Sequence, residues 1–91
     1  MFAVVVRESG DNDQIEASGE HVSANVAPRV KEQPGFVSAL CMSDGSGGTL
    51  NVLVFDTEEA ARRALEGARQ APRPGYLKLE SAAVYGVRAT A

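Results

Sequence analysis

Apolar positions recur along this chain with two different periods, and the changes between them lay out an alternating order of strands and helices. Phe2 to Arg7 is a Val-rich run that predicts a first strand. Ser9-Gly10-Asp11-Asn12-Asp13 carries turn chemistry, and Asn12 or Asp13 can cap the helix that follows. From Gln14 to about Gln33, the apolar residues Ile15, Val22, Val26 and Val30 fall on one narrow stripe at helical spacing. Gly19 lies inside that stripe, where it costs up to about 1 kcal/mol of helix propensity and suits a close approach to a sheet. Pro28 lies off the stripe and removes a backbone donor, which predicts a kink or a tightened last turn.

Pro34-Gly35 ends this helix, and the apolar run Phe36 to Met42 predicts a second strand. Asp44-Gly45-Ser46-Gly47-Gly48 is a hairpin turn leading into a third strand, Leu50 to Phe55. Thr57 then opens a helix running to about Gln70, with Ala61, Ala64, Leu65 and Ala68 on one face. Glu58 with Arg62 and Glu59 with Arg63 form i,i+4 pairs in the favourable order. Gln70 to Gly75 is a proline-stiffened loop, Tyr76 to Val87 predicts a last strand, and Arg88 to Ala91 reads as a loose tail.

The order βαββαβ predicts an α+β, ferredoxin-like domain over residues 1–91: a four-stranded antiparallel sheet with two helices on one face. A sheet half open to water should alternate apolar with polar residues. Here both alternate sets are apolar: Phe2, Val4 and Val6 against Ala3 and Val5; Phe36, Leu40 and Met42 against Val37, Ala39 and Cys41; Leu50, Val52 and Val54 against Leu53 and Phe55. Two helices cover one face only, so the expectation is a homodimer packed through the open sheet face.

Composition narrows the partners. The 91 residues carry a formal net charge of −3, which gives no footprint for phosphate backbones or anionic lipid, so neither nucleic acid nor membrane is an expected partner. No apolar run approaches the roughly 20 residues of a membrane span, and Phe2 to Val6 is too short for a signal sequence. The single cysteine, Cys41, reads as a packed thiol, and a cytoplasmic setting is expected.

The run Lys31-Glu32-Gln33-Pro34-Gly35-Phe36, the run Val52-Leu53-Val54-Phe55-Asp56-Thr57-Glu58-Glu59-Ala60-Ala61 and the closing Ala82-Ala83-Val84-Tyr85-Gly86-Val87 resemble the dimeric α+β barrel superfamily. The similarity is to its antibiotic-biosynthesis-monooxygenase-like branch and extends over nearly the whole chain. The haem-degrading branch fits poorly, since the chain has no tryptophan and no asparagine in its first strand. The resemblance implies a small dimeric α+β barrel and, for an enzyme, cofactor-independent oxygenation of an aromatic or polyketide-like molecule. It supplies no shared catalytic motif. The alternative is a non-catalytic domain that binds a small apolar ligand, senses it or dimerises.

Candidate chemistry is sparse. His21, the sole histidine, is the natural acid–base group, yet it lies roughly 140° from the centre of the Val stripe and turns outward. Arg7 ends the first strand and Asn51 interrupts the apolar third strand. Either suits a polar anchor in an apolar pocket, or a solvent or interface position. Tyr76 and Tyr85 bracket the last strand. They suit hydrogen bonding to a ligand, with Tyr85 a candidate catalytic group, or simple core and interface packing. Arg73, between two prolines, is a candidate rim or lid residue. No metal-ligand spacing is present and no cofactor is expected. The glycine-rich turn joins two strands rather than a strand to a helix, so it is not read as a phosphate loop.

Overall fold

A computed structural model describes residues Met1–Ala91 as β1 (Phe2–Gly10), a helical arm, β2 (Phe36–Ser43), β3 (Gly48–Phe55), α4 (Glu58–Gln70) and β4 (Leu77–Gly86). The arm comprises α1 (Asn12–Ala17), α2 (Gly19–His21), a π-helical turn (Val22–Val26) and α3 (Ala27–Lys31). The strands form one antiparallel sheet in the order β2-β3-β1-β4. This is the α+β, ferredoxin-like arrangement the sequence pattern predicts.

Residue pairing across the sheet sorts the side chains onto two faces. Val84, Val4, Leu53 and Ala39 form one row on the helix-bearing side; Ala82, Val6, Asn51 and Cys41 form the next; Leu79, Glu8, Thr49 and Ser43 a third. Val4, Val6, Phe55, Ala61 and Leu65 make the core there, and Val4, Phe55 and Ala61 have no exposed surface. Small alanines on α4 let that helix lie close to β4, β1 and β3, where burial of Phe55 and Leu65 contributes about 2–3 kcal/mol each. Thr57 caps α4, its Oγ1 accepting from the Ala60 N–H at 3.1 Å.

Two bulges adjust this register. Phe36 pairs with Phe55 but Ser38 pairs with Val54, so Val37 is an extra residue. The bulge places Phe36 on the helix-bearing face, edge-on to Phe55 with ring centroids 6.2 Å apart, while Leu40 and Met42 stay opposite Val52 and Leu50 on the other face. Strict alternation in β2 therefore fails at one point, because filling the core edge with an aromatic ring outweighs one lost ladder bond. In β4 the extra residue is Glu80, between partners of Arg7 and Glu8.

The arm departs from one continuous helix. Asp11, rather than Asn12 or Asp13, caps its start, accepting from the Gln14 N–H at 3.0 Å. Asn12 instead receives the Gly47 N–H at 3.1 Å. Pro28 cannot donate to a preceding carbonyl, and the chain accommodates it by widening one turn: the Ala27 N–H bonds back to the Val22 carbonyl, five residues earlier. Ile15 is the arm's one buried residue.

Its two ends are pinned. At the start, Ser43 Oγ donates to Glu16 at 2.6 Å, and the Gly10 N–H donates to the Gly47 carbonyl at 2.8 Å. Gly47 is buried with φ +92°, a backbone state that glycine adopts without strain. At the far end Gly35, φ +79°, passes its carbonyl to the Asp56 N–H at 2.9 Å. Phe55 carries the core beneath these attachments. Replacing Phe55 by alanine is expected to lower unfolding free energy by about 3–5 kcal/mol, a large share of what a domain of this size has; urea titration measures it.

Candidate functional site

On the helix-bearing face, α4 covers β1, and the part of the sheet nearest β2 is left partly open. Ala39 and Cys41 are exposed there, and Leu53 and Asn51 are half-buried. Pinned at both ends and buried only at Ile15, the arm passes these residues without burying them, and the open stretch of sheet face beside it is a cleft. Leu53 and Ala39 give this cleft an apolar floor, and a small polar cluster stands at its end.

Glu8 is the centre of that cluster. Facing the helix side next to Val6, its carboxylate accepts from Arg73 Nε at 2.7 Å, Asn51 Nδ2 at 3.2 Å and Thr49 Oγ1 at 3.4 Å. The side chains of Glu8 and Arg73 are 12% and 16% exposed, so water screens this pair far less than the open pairs on α4. Arg73 is held on all sides: Nη1 donates to the Ala71 carbonyl at 3.2 Å and Nη2 to the Ala68 carbonyl at 2.8 Å. Pro72 and Pro74 restrict the backbone around it. Each charge thus neutralises the other, and the cluster as a whole presents a polar but uncharged end to the cleft.

Cys41 stands across the strand pair from Asn51. Its thiol is pushed above the ordinary value, chiefly by partial burial and then by the negative charge of Glu8. Asp44 in the neighbouring hairpin turn is shifted the other way. Its carboxylate accepts the Ser46 and Gly48 N–H groups at 2.7 and 3.0 Å, which hold it below the usual carboxylate range.

Of the residues singled out by sequence, the fold brings Asn51 and Arg73 into this cluster. Arg7 is exposed on the opposite face, in one row with Ser81, Leu50 and Met42. It borders a hollow of about 480 Å³ at the strand ends, shared with Ser9, Met42 and Glu80 and reached from the helix-bearing face by Glu8 and Thr49. Tyr85 is on that same face, 57% exposed and opposite Ala3. His21 is exposed on the arm, its Nδ1 3.2 Å from the Asn25 amide. Tyr76 precedes β4, half-buried, its carbonyl accepting the Asp11 N–H at 3.3 Å. Arg73, read as a rim residue, proves to be the cation of the ion pair. Glu8 and Thr49 were not anticipated; a charged residue immediately after an apolar strand run, at a position in phase with Val4 and Val6, is the signal that marks Glu8.

The architecture defines a class: an α+β chain with a four-stranded antiparallel sheet and helical cover on one side. Among solved structures, the chain is similar to a monooxygenase from the gene ActVA-Orf6 of Streptomyces coelicolor, determined in complex with the ligand nanaomycin D. The two share 22% sequence identity over 99% of this chain and 89% of that one, with a TM-score of 0.64. At that identity the likeness is one of fold. No family model and no curated protein matches the chain. No helix is long and apolar enough to cross a membrane.

The thiol of Cys41 reports on the negative charge of Glu8. Removing that charge with Glu8→Gln is expected to lower the cysteine pKa toward, though not to, its ordinary value, since burial is the larger cause. Iodoacetamide labelling at pH 8 should therefore run faster in the variant, with its pH midpoint moved down and the high-pH plateau rate unchanged.

Proposed function

We propose that this protein is a homodimeric α+β barrel monooxygenase that acts, without a cofactor, on a flat aromatic or polyketide-like molecule held in the cleft on the sheet face beside the arm. The observation that carries this reading is Asn51: a polar side chain on an otherwise apolar floor, set beside a charge-neutral Glu8–Arg73 pair. Such a lining favours an uncharged apolar ligand oriented by one or two hydrogen bonds. The shared fold with an oxygenase that binds nanaomycin D supports the choice of ligand class.

The chemistry this requires of the protein is modest. An electron-rich carbon of a phenol or enol gives electrons to O₂, and the hydroperoxide so formed loses water to leave a carbonyl oxygen at that carbon. One oxygen atom stays in the product and the other leaves as water. Asn51 orients the substrate hydroxyl, and the apolar floor keeps water from the reacting carbon. A second reading, a binding domain without turnover, draws on the position of His21 outside the cleft, which leaves no histidine at the site.

The dimer rests on the other face. Leu40, Met42 and Tyr85 are 64%, 41% and 57% exposed there, alongside Val5, Val52 and Val54. That is a contiguous apolar patch of the kind a second chain covers. In this reading the hollow beside Arg7 lies at the rim of the subunit contact, and the chain works as a single domain in the cytoplasm.

Oxygen electrodes test the activity. Uptake is expected with electron-rich naphthols and anthrones, and Asn51→Leu should lower kcat/KM by about tenfold, one hydrogen bond's worth. Saturable binding of the same compounds with no uptake selects the non-catalytic reading, and absence of both removes the cleft as a small-molecule site. Sedimentation equilibrium is expected to give twice the chain mass at micromolar concentration. Leu40→Glu combined with Met42→Glu should give single chains that remain folded.

A further inference from the structure

The Glu8 carboxylate accepts three hydrogen bonds from protein donors, and its role toward the cleft is indirect. An ionised carboxylate only accepts hydrogen bonds, so the Asn51 amide beside it has one stable orientation: Nδ2 toward Glu8 and Oδ1 away from it. No buried side-chain oxygen or nitrogen in the protein lacks a partner, and the Asn51 Oδ1 accepts from no protein group. That oxygen is therefore accessible on the helix-bearing face. Arg73 keeps the arrangement in place, since its own three bonds to Glu8, Ala68 and Ala71 fix the carboxylate as an acceptor.

We propose that Glu8 is a positioning residue that locks the Asn51 amide with its carbonyl facing the cleft, and so selects ligands that bring a hydroxyl or N–H donor. This rests on the reading of the cleft as a ligand site, and it goes further by naming which hydrogen-bonding group the ligand carries. A ligand offering only a carbonyl or an ether meets oxygen against oxygen. Reduced, hydroxyl-bearing aromatics are admitted in preference to carbonyl compounds of similar size, which would also help an oxidised product to leave.

Glu8→Gln reverses the lock. The new amide keeps its oxygen on Arg73, turns its NH₂ toward Asn51, and obliges Asn51 to present Nδ2 to the cleft instead. The experiment measures dissociation constants of 1-naphthol, a donor, and 1-acetylnaphthalene, an acceptor only, on the natural protein and the variant. The ratio of the two constants is expected to move about a hundredfold toward the ketone in the variant, about tenfold for the hydrogen bond lost and about tenfold for the one gained. Taking the ratio cancels any general loss of packing. A ratio that moves less than about twofold overturns the proposal.

A second measurement needs neither ligand nor variant of Glu8. In the free natural protein, one side-chain amide proton of Asn51, assigned by its loss in Asn51→Leu, is expected downfield of the solvated asparagines because it bonds a carboxylate. Its absence overturns the lock directly. If that signature is present and neither naphthalene binds, the lock stands as structure, the proposed selection is overturned, and the fault lies with the cleft as a ligand site.

Discussion

Phe55 has no exposed surface because Ala61 above it presents only a methyl group, so α4 descends on β4, β1 and β3 until Val4, Val6 and Leu65 close around the ring. Larger residues at Ala61 or Ala64 would hold the helix off and leave the ring half wet. Such a close contact has a geometrical cost, because a helix lying flat on β4, β1 and β3 has no reach over β2. That part of the sheet falls to the arm, which is fastened at Ser43 and Gly47 on one side and Gly35 on the other, and buries only Ile15 between. Tight cover on one side and loose cover on the other follow from the same placement of α4, and the cleft is the outcome.

The Glu8–Arg73 pair stands at the seam between these regions. A lone carboxylate at 12% exposure would be heavily penalised, and a lone guanidinium likewise. Together, with the carbonyls of Ala68 and Ala71 taking the remaining donors, they satisfy one another and fasten the loop after α4 to β1. The result is an end wall with strong internal order and little net field. A wall of that kind orients dipolar groups without attracting ions, in keeping with the mildly acidic but unpatterned charge of the chain.

Strand and helix identities were legible because they rest on period and punctuation. Pro34-Gly35, the Asp44 to Gly48 turn and Thr57 each mark a boundary whose chemistry is local. The departures have long-range causes. Asp11 caps α1 because Asn12 is drawn off to Gly47, a contact that spans 35 positions of sequence. The π turn answers Pro28, whose missing donor predicts a kink or a tightened last turn but whose actual form, a widened turn, depends on how that missing donor is absorbed. Of the site, Asn51 stood out as a polar break in an apolar run. Glu8 and Arg73 lie 65 positions apart, and nothing local to either announces the other. Arg7, singled out as the end of the first strand, is placed by the alternation of β1: one step along from Glu8, it faces the opposite way.

The extra residue at Val37 lets one short strand serve two surfaces. Ahead of it, Phe36 is committed to the aromatic pair beneath α4; beyond it, Leu40 and Met42 are phased to the uncovered side. Loss of a single codon here would oppose these demands, sending either the ring out into water or the two aliphatic side chains into the cleft. Insertions and deletions at this edge are therefore far more restricted than in the neighbouring hairpin tip. Related chains that keep both a sealed aromatic pair and an oily outer sheet should preserve the spacing between them even where the residues themselves have drifted.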